Sequence, residues 1–289
     1  MEWPRTNSQE SRQLERTFSN EGIPFDIPGF SDHPNFLQCE QSDPRFLELY
    51  ARYVESRGYT ADYLADARKK IDVAARALAD AIRIDGRLGA CVDAAGMLGR
   101  MLDRLGVWNY VGKASLTIKF PAVTKFPDRY FWTFDEGEFV AAHAVVISPP
   151  FGIVDVTVRH QIYDPGEENF IPQIVLAEEW QAVKWEPEDL ANPSILMMLQ
   201  ENRIPFDVFL NTQSPGMANV IRTLPPRAIS QNGTLLKYVI VAVGGTIEPL
   251  EGILGYKPGG RTALEIFQQD IMPSLTRAND QPTLIRYSR

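Results

Sequence analysis

Cys91-Val92-Asp93-Ala94-Ala95-Gly96-Met97-Leu98-Gly99-Arg100-Met101-Leu102-Asp103-Arg104-Leu105-Gly106-Val107-Trp108-Asn109-Tyr110-Val111-Gly112 is the stretch in which the chain changes from helical to extended patterning. Ala94, Ala95, Leu98, Met101, Leu102 and Leu105 recur at three- and four-residue spacing and form one apolar face, and Gly106 supplies the left-handed residue that commonly ends a helix. The spacing predicts a helix over 91–105. Upstream, Thr60 has the position of an N-cap for a helix over 61–82, whose stripe is Leu64, Ala67, Ile71, Ala74, Ala75, Leu78 and Ile82. Phe46, Leu47, Leu49, Tyr50 and Tyr53 predict another helix after Pro44, stopped by Gly58. Downstream, β-branched and aromatic residues alternate over 108–120, 129–134, 139–148 and 151–158, which predicts strands. Helices followed by strands predict an α+β fold, with a helical N-terminal part whose Cys91 helix packs on a mostly antiparallel sheet.

Residues 1–44 carry Pro4, Pro24, Pro28, Pro34 and Pro44 with no sustained period and read as an irregular arm. The core is expected over 45–165. Beyond Asp164-Pro165-Gly166 the patterns weaken to a helix near 187–202, a buried strand over 235–243 and a helix over 262–275. Residues 166–289 are therefore expected as a C-terminal α/β lobe or elaboration packed on the core.

The chain of 289 residues carries 29 Lys+Arg against 37 Asp+Glu, a net charge of −8, which disfavours a nucleic-acid or anionic-membrane surface as partner. Two cysteines and three histidines furnish neither a disulfide framework nor a cysteine-rich zinc site. The polar start and the lack of an apolar run of about 18 residues predict a soluble, cytoplasmic protein without a leader or a membrane span.

Gly86-Arg87-Leu88-Gly89-Ala90-Cys91-Val92-Asp93 sets a cysteine in the first turn of an amphipathic helix. Unpaired N–H groups and the positive end of the helix dipole favour a thiolate there. The bland alternative is a small buried hydrophobe. His143 lies within a strongly apolar strand and needs a partner for its second ring nitrogen, and Asp155 is a carboxylate in the middle of another. A three-residue loop, Ser148-Pro149-Pro150, would set Ile147 opposite Phe151, Val145 opposite Ile153 and His143 directly opposite Asp155, with Cβ atoms about 5 Å apart. A carboxylate at that separation orients a catalytic imidazole.

Gly89-Ala90-Cys91-Val92-Asp93-Ala94-Ala95, then Leu105-Gly106-Val107-Trp108, His143-Ala144-Val145-Val146 and Val154-Asp155-Val156-Thr157, together resemble the transglutaminase-like branch of the papain-fold cysteine superfamily. The resemblance covers about residues 86–158. It implies a papain/transglutaminase-like core with Cys91 as nucleophile, His143 as base and Asp155 as orienter. Arg87-Leu88-Gly89-Ala90-Cys91 also resembles the Arg-Gly-Gly-x-Cys signature of arylamine N-acetyltransferases, with Leu88 in place of the first glycine. Asp155 is followed by Val156-Thr157-Val158-Arg159, where those enzymes carry Val-Gly-Phe-Gly. The transglutaminase-like pattern is departed from as well, lacking an aromatic before the Asp and Pro-Thr after it.

These readings predict a cysteine hydrolase or acyltransferase that acts on amide bonds through a thioester, as a peptidase, amidase or transglutaminase-like enzyme. The backbone N–H groups of Cys91 and Val92 would receive the oxyanion. The substrate would be a peptide, protein or small amide, and no metal or redox cofactor is called for. The alternatives are an acetyl-CoA-dependent transferase and a catalytically silent protein-binding module. Of the remaining candidates, His160 is expected as a solvated strand end and Asp93 as a cap of its own helix, whereas His33 and Cys39 are expected to be incidental. The aromatic segment Tyr130-Phe131-Trp132-Thr133-Phe134 is expected to fill a core or line a groove.

Overall fold

A computed structural model describes residues 3–135, 138–139 and 142–280. Five helices come first: α1 (Ser8–Asn20), α2 (Pro34–Ser42), α3 (Phe46–Ser56), α4 (Ala61–Asp85) and α5 (Cys91–Arg104). The last three follow the apolar stripes of the sequence. Thr60 Oγ accepts the Tyr63 N–H at the start of α4, and Gly86, with φ +71°, ends it three residues beyond the expected boundary. The N-terminal arm is not irregular. Asn7 caps α1 by accepting from the Gln9 and Glu10 N–H groups, and Leu14 and Phe18, one turn apart, bury its inner face. One or two buried apolar residues per helix are too few to register as a period, while the prolines that suggested irregularity fall outside the helices or, like Pro34, at a first turn where no N–H is needed.

The strands are β1 (Tyr110–Lys119), β2 (Arg129–Phe131), β3 (Phe134–Asp135), β4 (Glu138–Phe139), β5 (His143–Ser148), β6 (Phe151–Asp155), β7 (Val175–Ala177), β8 (Gln181–Ala182), β9 (Arg227–Gln231) and β10 (Thr234–Val243). Eight of them form one curled antiparallel half-barrel in the order β7-β6-β5-β1-β10-β9-β8, with β2 also paired to β1. The mixed helix-and-sheet architecture agrees with the expected α+β class. β10 runs along one edge of β1 from Gly112↔Val243 to Lys119↔Leu235. The other edge is shared, by β5 from Tyr110↔Ile147 to Ala114↔His143 and by β2 from Leu116↔Phe131 onward. β3 and β4 pair separately. Residues 140–141 of the expected strand over 139–148 lie outside the described residues.

Residues 166–280 do not stand apart as a lobe. They supply four strands, including β10 beside β1 at the sheet centre, and residues 281–289 lie outside the described residues. The chain passes from β7, one edge of the sheet, to β8, the other edge, through residues 178–180 alone. The helix expected over 187–202 is two, α6 (Pro187–Leu190) and α7 (Pro193–Glu201), because Ala191 and Asn192 are extended and Asn192 caps a new helix opened by Pro193. α8 (Phe206–Gln213) and α9 (Pro215–Thr223) follow. At the C-terminal end, Thr262 and Glu265 form a capping box for α10 (Ala263–Ile266), which continues through a π-helical turn (Phe267–Ile271) into α11 (Met272–Asp280).

Alternation divides the sheet between cores. Val111, Ala144, Val146 and Val154 pack with α4, α5 and the C-terminal helices, whereas Ala114, Leu116, Val145, Ile147, Tyr238 and Ile240 share a core with Phe18, Phe30, Tyr50 and Tyr53 of the N-terminal region. Val239 and Val241 turn to Leu210, Met217 and Ile221 of α8 and α9.

A buried ion pair joins these parts. Arg227 of β9 is 1% exposed, donates to Glu55 of α3 and to the Gly152 carbonyl of β6 at 2.5 Å, and lies 4.4 Å from the centroid of the Trp180 ring. Glu55 also accepts from the Tyr110 hydroxyl at 2.6 Å. Gly152 has to be glycine here, since a Cβ would come within 2.2 Å of the Trp180 indole. Removing one partner leaves the other charged and dry. Arg227→Leu should therefore cost about 3–5 kcal/mol in urea unfolding, and Glu55→Leu combined with Arg227→Leu should recover a large part of that loss.

Candidate active site

β1 hands its edge from β2 to β5 between Leu116 and Ala114, and His143 is the first residue of β5 at this seam. Its ring lies 6.4 Å from Phe131, the last residue of β2, and 6.2 Å from Tyr238 of β10. The side chain is fully buried, and its Nε2 is 2.6 Å from Asp155 Oδ2.

That contact is made by a different register from the one expected. Ser148 pairs with Phe151 across the Pro149-Pro150 turn, and after a bulge Val146 pairs with Val154. Asp155 is therefore one pleat removed from the position opposite His143, on the same face of the sheet. A two-residue turn plus a bulge replaces the three-residue loop, and the pairing parity that brings the two side chains together survives.

Asp155 is enclosed by donors. Oδ2 also accepts from the Tyr238 hydroxyl at 3.1 Å, and Oδ1 accepts from the Thr157 N–H at 2.9 Å and the Thr157 hydroxyl at 3.2 Å. Taking the Thr157 N–H also turns the backbone, so β6 ends at Asp155 instead of reaching Val158. Burial and the neighbouring Asp155 charge hold the Tyr238 hydroxyl well above its ordinary pKa, so it remains a donor. Tyr238 was not among the residues singled out in the sequence; nothing in the apolar run around it signals a partner 83 residues away.

Cys91 is the first residue of α5 and is 4% exposed. The first bond of that helix runs from the Ala94 N–H to the Ala90 carbonyl, and no side chain caps it, so the N–H groups of Cys91, Val92 and Asp93 have no acceptor within the helix. The turn before it is fixed by Gly89, whose φ of +71° an L side chain would strain and whose N–H donates to the His160 carbonyl at 2.9 Å. The Cys91 sulfur is close enough to His143 to raise its pKa by hydrogen bonding and charge. Among the described residues no hydrogen bond reaches His143 Nδ1, which is buried without a partner. Burial opposes the charged form of the ring, but Asp155, aided by Cys91, outweighs it and lifts the His143 pKa to about 10. Asp155 is thus in direct contact with the His143 ring, and Cys91 lies near enough to the same ring to affect its charge.

Other expected residues fall elsewhere. His160 is half-buried and not a solvated strand end: its carbonyl holds the Gly89 turn, and burial together with Arg159 and Arg83 lowers its pKa. Asp93 sits in the first turn of α5 and faces Arg87 at 3.6 Å. Tyr130 and Trp132 stack at 5.5 Å, half-buried, while Phe131 turns toward His143. His33 Nδ1 caps α2 by accepting the Asn35 N–H. The Cys39 thiol contacts Glu21 at 3.7 Å, and its pKa is raised by burial and by that carboxylate. Among the described residues no helix is long and apolar enough to cross a membrane, and no group of three or more His, Cys, Asp or Glu side chains is placed to hold a metal ion. Compared with protein-family models, curated proteins and solved structures, the chain gives no match.

A histidine whose pKa rises from 6.5 to about 10 on folding stabilises the protein fully below pH 6.5, and this contribution is lost as pH rises through 10. The stability advantage of the native chain over His143→Gln should therefore shrink steadily across that window, as measured by denaturant midpoints at pH 6, 8 and 10.

Proposed function

We propose that this protein is a cysteine-dependent acyl-transfer enzyme acting on amide bonds, with Cys91 as nucleophile, His143 as proton carrier and Asp155 as orienter. The observation that carries the reading is the buried 2.6 Å contact of His143 Nε2 with Asp155 Oδ2, with the Cys91 thiol beside the same ring at the start of a helix. A His143 pKa of about 10 keeps the ring an imidazolium at neutral pH, ready to supply a proton to a leaving group beside it.

In this reading Cys91 Sγ attacks the amide carbonyl carbon, and the carbonyl electron pair moves to oxygen, which the Cys91 and Val92 N–H groups receive. Collapse of the tetrahedral intermediate breaks the C–N bond, and the His143 proton goes to the departing nitrogen. The thioester left on Cys91 is attacked by water or an amine, whose proton His143 takes as the C–S bond breaks. Tyr238 and Thr157 hold the Asp155 carboxyl in place throughout. The chemistry belongs to the transglutaminase-like branch that the motifs resemble. An acetyl-CoA donor has less support, since Lys113, Lys119, Lys125 and Arg129 are dispersed and no phosphate-cradling glycine loop accompanies them.

One observation favours the silent-module reading. Cys91, His143 and Asp155 are 4%, 0% and 1% exposed, and neither the 860 Å³ cavity beside α5 nor the 620 Å³ cavity beside β7 borders them. Alkylation separates the two readings. With a functional thiolate, Cys91 should react with iodoacetamide at pH 6 faster than Cys39, whose pKa is raised, and His143→Ala should slow it about tenfold or more. Incubation with a peptide-amide library should yield a thioester mass on Cys91 and release of ammonia or new amine termini, all lost in Cys91→Ala. An acetyl adduct formed from acetyl-CoA and discharged by an arylamine would instead establish the transferase, and an inert Cys91 in every assay the silent module.

A further inference from the structure

A cavity of 860 Å³ lies between the N-terminal helices and the flank of α5, and its walls include Leu37, Leu47, Tyr50, Val243 and Ile247. That volume suits a drug-sized ligand, and the combination of apolar walls with a few convergent polar groups is the usual make-up of a small-molecule site. Gly96, Gly99 and Asp103 line it from α5. They lie five, eight and twelve residues after Cys91, hence about 140°, 80° and 120° around the helix from it at about 100° per residue. The cavity is therefore on a different face of α5 from the thiol.

Its charged groups are unequal. Asp32, Glu40 and Asp103 face a single cation, Arg100, giving 1 − 3 = −2 when all are ionised. Arg100 is already occupied: Nη1 contacts Asp32 and lies 3.5 Å from Asp103 Oδ2, and Nη2 donates to the Thr246 carbonyl at 2.8 Å. Asp103 Oδ1 accepts from Asn109 Nδ2 at 2.8 Å, while Gly29, whose Cβ would stand 3.0 Å from Asp103 Cγ, lets the preceding turn approach closely. The surplus negative charge is visible in both remaining carboxyls. Burial, with Asp32 adding to it, raises Glu40, and the same two causes lift Asp103 to about 7 against the opposing pull of Arg100 and Asn109.

We propose that this cavity is a binding site for a small organic ammonium ion, with its apolar body against Leu47, Tyr50, Val243 and Ile247 and its cationic head at Asp103 and Glu40. The site is independent of the chemistry assigned to Cys91. A carboxylate ligand would meet the surplus negative charge of the lining, and a neutral one would leave that surplus unbalanced.

The test uses the full chain and three probes of similar shape: 4-phenylbutylammonium, 4-phenylbutan-1-ol and 5-phenylpentanoate, each followed by titration calorimetry and thermal shift. The ammonium probe should bind saturably at one site, at least tenfold more tightly than the alcohol, and the carboxylate should not bind. Affinity for the ammonium should rise between pH 6 and 8 as Asp103 loses its proton in the presence of Arg100, Asp32, Asn109, Tyr50 and Glu40. Asp103→Asn and Glu40→Gln should each weaken binding about tenfold, with calorimetric unfolding of the free variants as the control for folding. Cys91→Ala should bind as the native chain does. Equal affinity for the alcohol or the carboxylate, no saturable ammonium binding by the native chain, or undiminished binding in both carboxyl variants would overturn the proposal. The native chain decides the first two outcomes even if a variant does not fold.

Discussion

A charge withdrawn from water is tolerated only where other groups replace the water, and Arg227 meets that condition by gathering distant parts of the chain around itself. Its guanidinium takes Glu55 from α3 and a carbonyl from β6, and its flat face lies near Trp180 between the two sheet edges. Glu55 in turn holds the Tyr110 hydroxyl at the start of β1 and lies 3.5 Å from Arg5, while its backbone carbonyl accepts from the Trp3 indole. Helical layer, sheet and N-terminal segment are thereby fixed to one another by a single polar cluster. Apolar packing alone would hold them together without specifying their mutual orientation.

Asp155 is the same problem solved a second time, with chemical consequences. Four donors, from β5, β10 and the residue two places on, enclose its carboxyl oxygens in a dry setting. The carboxylate then keeps a proton on His143, which would otherwise be neutral at this depth. Both the candidate chemistry and the local ending of β6 follow from one carboxyl group. Tyr238 ties this arrangement to the central strand pair, so β10 contributes to the site although it arises 83 residues later in the chain.

The helices α3 to α5 and the strands β1, β5, β6 and β10 were legible because each carries a long apolar period and a turn residue at its end. Cys91, His143 and Asp155 were legible for the opposite reason: each is a polar or reactive residue where the pattern calls for an apolar one. α1 and α2 leave no such mark because two buried apolar residues in the one and a single one, Phe36, in the other do not make a period. The register of the Pro149-Pro150 turn depended on a bulge that leaves no mark in the residue pattern, and only the parity of the pairing could be read. Tyr238 and Thr157 were invisible because an ordinary tyrosine in a strand and a threonine after it acquire their roles from tertiary contacts. That residues 166–280 share the same sheet was less legible, because short strands such as β7 and β8 are defined by their neighbours and not by their own composition.

The three residues between β7 and β8 act as a gauge of curvature. Seven strands laid flat at about 4.8 Å spacing would set their outer strands about 29 Å apart. Four fully extended steps from Ala177 to Gln181 reach at most about 14 Å. The sheet therefore cannot lie flat while both β7 and β8 are paired, whatever its side chains prefer. Its bend is imposed covalently, by a tether shorter than the span it bridges. Hydrogen bonding across the seam is not needed to keep the bend, which leaves room beside β7 and β9 for the smaller cavity of 620 Å³. The length of this tether, more than the identity of its residues, sets how far the barrel stands open.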